Sequence, residues 1–141
     1  MQRYRQRISG PLLDRIDIHV EVPSVQFREL SRADPGEPSA AIRERVETVR
    51  ALQVERFAAH PGVACNAGMT PNLLKQHVPL NDETRGLLES SMDQMNFSAR
   101  AHDRILKVAR TIADLGGSPD VTPDHLLEAV NFRTLDRNYW V

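Results

Sequence analysis

A chain of 141 residues with 40% hydrophobic and 26% charged residues has room for one buried core, or for one domain with a piece of a second. No apolar run approaches the ~18 residues that a bilayer span needs, and the arginine-rich start lacks the apolar stretch of a signal peptide, so a cytoplasmic protein without membrane contact is expected. The net charge of −1 argues against a domain that grips nucleic acid by charge alone, and the single cysteine, Cys65, excludes an internal disulfide framework.

The first predicted element is a strand. Ile16, Ile18, Val20 and Val22 alternate with Asp17, His19 and Glu21, a period of two that Pro23 ends. A strand leaves backbone donors and acceptors unpaired unless a ladder partner meets them. No later segment reads as one, so the partner strands are expected upstream. Ser31 to Ser39, "SRADPGEPS", is dense in proline, glycine and serine and reads as a hinge.

Everything after that hinge reads as helix. From about Ser39 to His60, Ile42, Val46, Val49 and Phe57 share one face, and Pro61-Gly62 stop the run. Thr70-Pro71 is a cap followed by proline at the first helical position, and this short helix ends before Val78-Pro79. Asn81 caps a third helix with Leu87, Leu88, Met92 and Met95. Ser98 caps a fourth, striped by Ala101, Ile105, Val108, Ile112 and Leu115 and closed by Gly116-Gly117. Thr122-Pro123 opens a fifth with Leu126, Leu127 and Val130. The fold class is therefore all-α: a small helical bundle preceded by an N-terminal remnant strand.

Catalytic sets are scarce. There is no G-x-x-x-x-G-K-[ST] phosphate loop and no Rossmann glycine pattern. The five histidines never fall three to five residues apart, so no metal site is expected. Cys65 reads as an idle thiol, His125 as a surface residue, and Phe132 and Trp140 as closures of the core. Two arginines break local rules. Arg100 stands in the first turn after the Ser98 cap, where the helix presents partial positive charge and a cation is unfavourable. It either pairs with Asp103 or lies in solvent, or else it converges with the helix N-terminus on an external anion such as a phosphate. Arg15 stands before the strand between Asp14 and Asp17. It is either a local ion pair or a rigidly mounted guanidinium able to stabilise charge on a transferring phosphoryl group.

Three blocks carry a resemblance: "RISGPLLDRIDIHVEVP", "NFSARAHDRILKVARTIADL" and "VTPDHLLEAVNFRTLDRNYW". Together they resemble the C-terminal part of the magnesium-chelatase-like AAA+ ATPases, of the ComM/YifB type, from Arg7 to Trp140. The resemblance implies a P-loop core followed by a helical lid, in a ring, in all expectation a hexamer, with ATP between subunits. It implies that residues 1–23 are the end of the ATPase core, 24–36 a linker and 37–141 the lid. "GPLLDRID" is similar to the segment that delivers an arginine finger to a neighbour, which makes Arg15 the catalytic residue acting in trans. "SAR" is similar to the sensor-2 motif, which makes Arg100 a contact of the ATP phosphate.

ATP and Mg2+ are then cofactors of the full-length parent and not of this stretch alone, which lacks the phosphate loop and is expected to hydrolyse nothing by itself. Its partners are its own upstream core, the neighbouring subunits and, for the parent, DNA. Alternatives are an ATPase subunit that drives magnesium insertion into a porphyrin, or a stand-alone helical module that binds DNA or protein.

Overall fold

The computed structural model describes Leu12, residues 15–24 and residues 36–133. Among the described residues five α-helices, α1 (Ser39–Arg56), α2 (Pro71–His77), α3 (Asp82–Met95), α4 (Ala99–Leu115) and α5 (Pro123–Asn131), follow in chain order, with a 3-10 turn at Asn66–Gly68 between α1 and α2. The expected helical bundle is thus present. Residues 31–35 of the hinge expected over Ser31 to Ser39, the residues beyond 133 with Trp140, and most of residues 1–14 with Asp14 lie outside the described residues.

Helix α4 is the centre. It packs against α5, α1, α2 and the 3-10 turn, while α3 packs against α5. Its small residues explain why so many elements can reach it. Ala101, Ala109 and Ala113 are buried together with Ile105 and Leu106, and they meet Phe57, Leu73, Leu74, Leu88, Leu126 and Val130 in one continuous core.

The helix ends follow capping chemistry. The Thr70, Asn81 and Ser98 side chains accept from the amides of Leu73, Thr84 and Ala101. At the C-terminus of α4 the amide of Ser118 donates to Ala113 O at 2.9 Å and that of Gly117 to Asp114 O at 3.1 Å. This pattern needs a left-handed residue, and Gly117 supplies it with φ +66°. His125 is not the plain surface residue expected: its Nδ1 accepts from the Thr122 amide at 3.1 Å, closing a capping box in the place usually held by Glu or Gln.

Two sequence expectations are modified. Helix α1 stops at Arg56 rather than His60, because the amides of Phe57 and Ala58 turn back onto Gln53 O and Glu55 O and the chain coils through 57–62. Its apolar face is only half used. Val49 and Phe57 are buried, whereas Ile42 and Val46 are exposed, since the first turns extend past the bundle. The alternating stretch 16–22 forms no strand, and no strand occurs among the described residues. In place of a ladder, the Ile16 carbonyl, the Asp17 carboxylate and the His19 amide bond to the bundle.

Candidate functional site

Helix α4 carries both sites of interest, one at each end. At its N-terminus Ser98 Oγ caps the Ala101 amide at 3.2 Å and Ser98 O accepts from His102, which leaves the Ala99 and Arg100 amides without an intrahelical acceptor. Helices α3 and α5 carry acidic residues in their first turns (Asp82 and Glu83; Asp124), as the helix dipole favours, whereas α1, α2 and α4 carry none. In α4 Arg100 occupies that turn instead and is exposed. Asp103, the expected partner, is engaged by His102 Nδ1 at 3.0 Å. Among the described residues Arg100 makes no hydrogen bond or ion pair. A cleft of about 750 Å³ beside the same turn is lined by Lys75, Arg85, Glu89, Asp93 and His102 and carries both signs of charge.

Arg15 sits in a turn closed by its own amide on Leu12 O at 3.0 Å, with its side chain exposed. The residues after it are fastened to the bundle. The Ile16 carbonyl accepts from Arg133 Nη1 at 2.7 Å, Asp17 Oδ1 pairs with Arg104 on α4, and the His19 amide donates to Phe132 O at 2.7 Å. Arg133 and His19 are buried. Arg15 and Arg100 are therefore attached to one body, through contacts that neither sequence spacing nor propensity announced.

The other end of α4 holds a buried charge cluster that sequence reasoning missed. Asp114 accepts from Arg56 Nη2 at 2.5 Å and Nη1 at 2.7 Å, from Arg110 Nε at 3.0 Å, and from Asn66 Nδ2 at 2.8 Å. Arg110, wholly enclosed, spends its remaining donors on Ser118 O and Pro119 O. Burial by itself would raise the Asp114 carboxyl, but the hydrogen bonds from Arg56 and Asn66 and the charges of Arg110 and Arg56 outweigh it and hold the group below the usual carboxylate range. Only the i,i+4 spacing of Arg110 and Asp114 was visible in advance, and that spacing alone reads as a surface pair. This cluster joins α1, the 3-10 turn, α4 and the turn after it. With both Asp114 oxygens and all three Arg110 nitrogens engaged internally, its role is to hold the fold.

Among the described residues no three His, Cys, Asp or Glu side chains gather in a metal-binding group, and no helix is long and apolar enough to cross a membrane.

Residues 36–133 match the family described as magnesium chelatase, subunit ChlI C-terminal, and residues 1–30 match magnesium chelatase, subunit ChlI. The chain is 40% identical to competence protein ComM of Haemophilus influenzae over 97% of its own length and 26% of that protein's. It is 40% identical to protein YifB of Escherichia coli and 36% to YifB of Salmonella typhimurium, over 96% of this chain and 26% of each of those proteins. It thus spans about a quarter of the length of these curated relatives, 26% in each case.

Proposed function

Because the chain belongs to the magnesium chelatase subunit ChlI family, we propose that it serves as the C-terminal lid portion of an AAA+ ATPase motor. In this reading residues 1–23 finish the ATPase core, 24–36 link it and 37–141 form the lid. ATP and Mg2+ are held by the upstream core, at the interfaces of a ring of subunits in the cytoplasm. Arg100 contacts the γ-phosphate of its own subunit's nucleotide, and Arg15 reaches the neighbour's. The ComM/YifB likeness supports DNA as the substrate of the motor, over insertion of magnesium into a porphyrin.

The observation that carries this reading is the placement of Arg100. An unpartnered guanidinium in an acid-free first helical turn is slightly unfavourable alone and becomes favourable when an anion arrives. A phosphate oxygen at that turn meets two free amides and a planar cation, so this end of the helix fits the terminal phosphate of a nucleotide. The bound nucleotide supplies the phosphoryl group, and the chain's part is to stabilise charge on it and to report its presence through the position of α4.

The test is made in the full-length ATPase. Arg15→Ala is expected to lower ATP hydrolysis by about 10³- to 10⁵-fold, as loss of an arginine finger does, while nucleotide binding stays nearly intact. Mixing that variant with a subunit defective in its own phosphate loop should restore part of the activity, because some interfaces regain a whole site. An unchanged hydrolysis rate would reduce Arg15 to a surface group.

A further inference from the structure

We propose that Arg104 and Arg133 are positioning residues that clasp the segment bearing Arg15 to the helix bearing Arg100, so that the two arginines move as one body. The proposal rests on the roles given to those arginines above and adds a coupling between two ATP sites. The lid of one subunit, placed by its own nucleotide through Arg100, sets the reach of Arg15 into the neighbour's site.

The clasp is polar, and this is what singles it out. Ile16, Ile18, Val20 and Val22 keep 39%, 47%, 64% and 77% of their surface exposed, so none of these apolar side chains is fully buried in the core. No ladder fixes this segment, since no strand occurs among the described residues. Among the described residues three bonds tie the positions directly after Arg15 to the bundle: Arg133 donates to the Ile16 carbonyl, Arg104 pairs with the Asp17 carboxylate, and the His19 amide donates to the Phe132 carbonyl.

Arg104 lies one helical turn after Arg100 on α4, and Asp17 lies two residues after Arg15. The ion pair therefore links the backbone near one arginine to the backbone near the other. Arg133 is fully enclosed, and a buried cation is costly unless its donors are used. It spends one of them on the Ile16 carbonyl, a part-buried, charge-assisted bond. A guanidinium that must be placed to within a fraction of an ångström needs such a mount, because a misplacement of about 1 Å is enough to cost ~10²-fold in rate.

The experiment uses the full-length ATPase with Asp17→Asn and, separately, Arg104→Gln. Each is expected to lower kcat by about 10- to 100-fold while the KM for ATP stays within about 3-fold, since the finger is displaced and the subunit's own nucleotide pocket is untouched. Asp17 lies outside the helices and its replacement disturbs no core packing, so that variant decides the matter if Arg104→Gln lowers the yield of folded protein. The deciding measurement is mixing. Asp17→Asn subunits combined with subunits that still bind ATP but cannot hydrolyse it regain activity if the clasp acts through the finger they donate, because those nucleotide-loaded partners bring correctly placed fingers to working phosphate loops. No recovery on mixing, a rise in KM equal to the fall in kcat, or unchanged kcat overturns the clasp. Failure of the underlying reading looks different: there Arg15→Ala is itself harmless, whereas a damaging Arg15→Ala beside a harmless Asp17→Asn rejects the clasp alone.

Discussion

The two ends of α4 use arginine in opposite ways. Towards the C-terminal end Arg110 lies beside the carboxylate of Asp114 one turn on, and its nitrogens donate to Asp114, Ser118 and Pro119. At the N-terminal end Arg100 lies where a cation is disfavoured, in solvent, with the nearby acid already taken by His102. The fold accounts for the first residue completely and gives no reason for the second. A saturated arginine in a favourable place is explained by stability, and an unsaturated one in an unfavourable place asks for something outside the chain. The comparison predicts that substitutions at one end damage folding and that those at the other end damage function.

The largest effect is expected at the saturated end. Asp114→Ala removes the carboxylate that Arg56 and Arg110 share and leaves the enclosed Arg110 and the part-buried Arg56 without it. Breaking such a buried cluster from one side costs about 3–5 kcal/mol, enough to unfold a marginal domain of this size. Urea denaturation followed by circular dichroism measures it, and a loss under about 1 kcal/mol would mean that water reaches the cluster. The pH dependence has a defined sign. Asp114 titrates lower folded than unfolded, so its contribution is complete above the ordinary aspartate value near ~3.9 and is lost as pH falls through the folded one. The gap in stability between the native chain and Asp114→Ala should therefore narrow in acid below about pH 4.

A smaller effect is expected at His77, beside the same cluster. Its Nε2 is buried without a partner, and its ring meets Phe57 edge-on at 5.3 Å and His60 at 6.4 Å. Burial, and then the charges of Arg56, His60 and Arg110, hold its proton affinity below the ordinary histidine value. The unfolded chain takes up this proton near pH ~6.5 while the folded one does not, so stability falls as pH drops below that value. His77→Phe keeps the ring contact and removes the titration. Comparing urea midpoints at pH 7.5 and pH 5.5 should give a shallower pH dependence for the variant, and equal slopes would show that His77 titrates freely.

Most of the bundle was legible because caps are local. Thr70, Asn81, Ser98 and Thr122 each announce a helix start within a few residues, and Gly116-Gly117 announces the end of α4. The resemblance likewise singled out Arg15 and Arg100 from short motifs. What stayed hidden depends on long-range contact. Asp114 meets Arg56 across a separation of 58 residues, and Arg133 meets Ile16 across 117, distances over which no periodicity carries information. The strand expected at 16–22 shows the same limit from the other side. Alternation records that a segment was suited to a sheet, while a ladder also needs a partner, and none occurs among the described residues. His125 was misread because capping boxes are sought with Glu or Gln, and an imidazole nitrogen can accept the same bond.

The smallest stability effect, and the sharpest contrast with Asp114, is expected from Arg100→Glu in this chain. The substitution removes a cation from a turn with two free amides and installs the charge that the dipole favours. No hydrogen bond or ion pair among the described residues is lost. The fold should remain intact and gain a few tenths of a kcal/mol, up to ~1 kcal/mol, with the gain shrinking at high salt because the turn is exposed. On the function proposed above, the same change in the full-length protein sets a carboxylate against a polyphosphate, and ATP turnover should fall severely. Arg100→Lys, which keeps the charge but loses the planar fork, should retain part of it. Thermal melts of the chain and hydrolysis rates of the ATPase, measured side by side, separate the two roles. A variant that melts higher yet turns over little ATP places the purpose of Arg100 outside the fold. If Arg100→Glu instead unfolds the chain, the residue is structural, and the distinction between the two ends of α4 collapses.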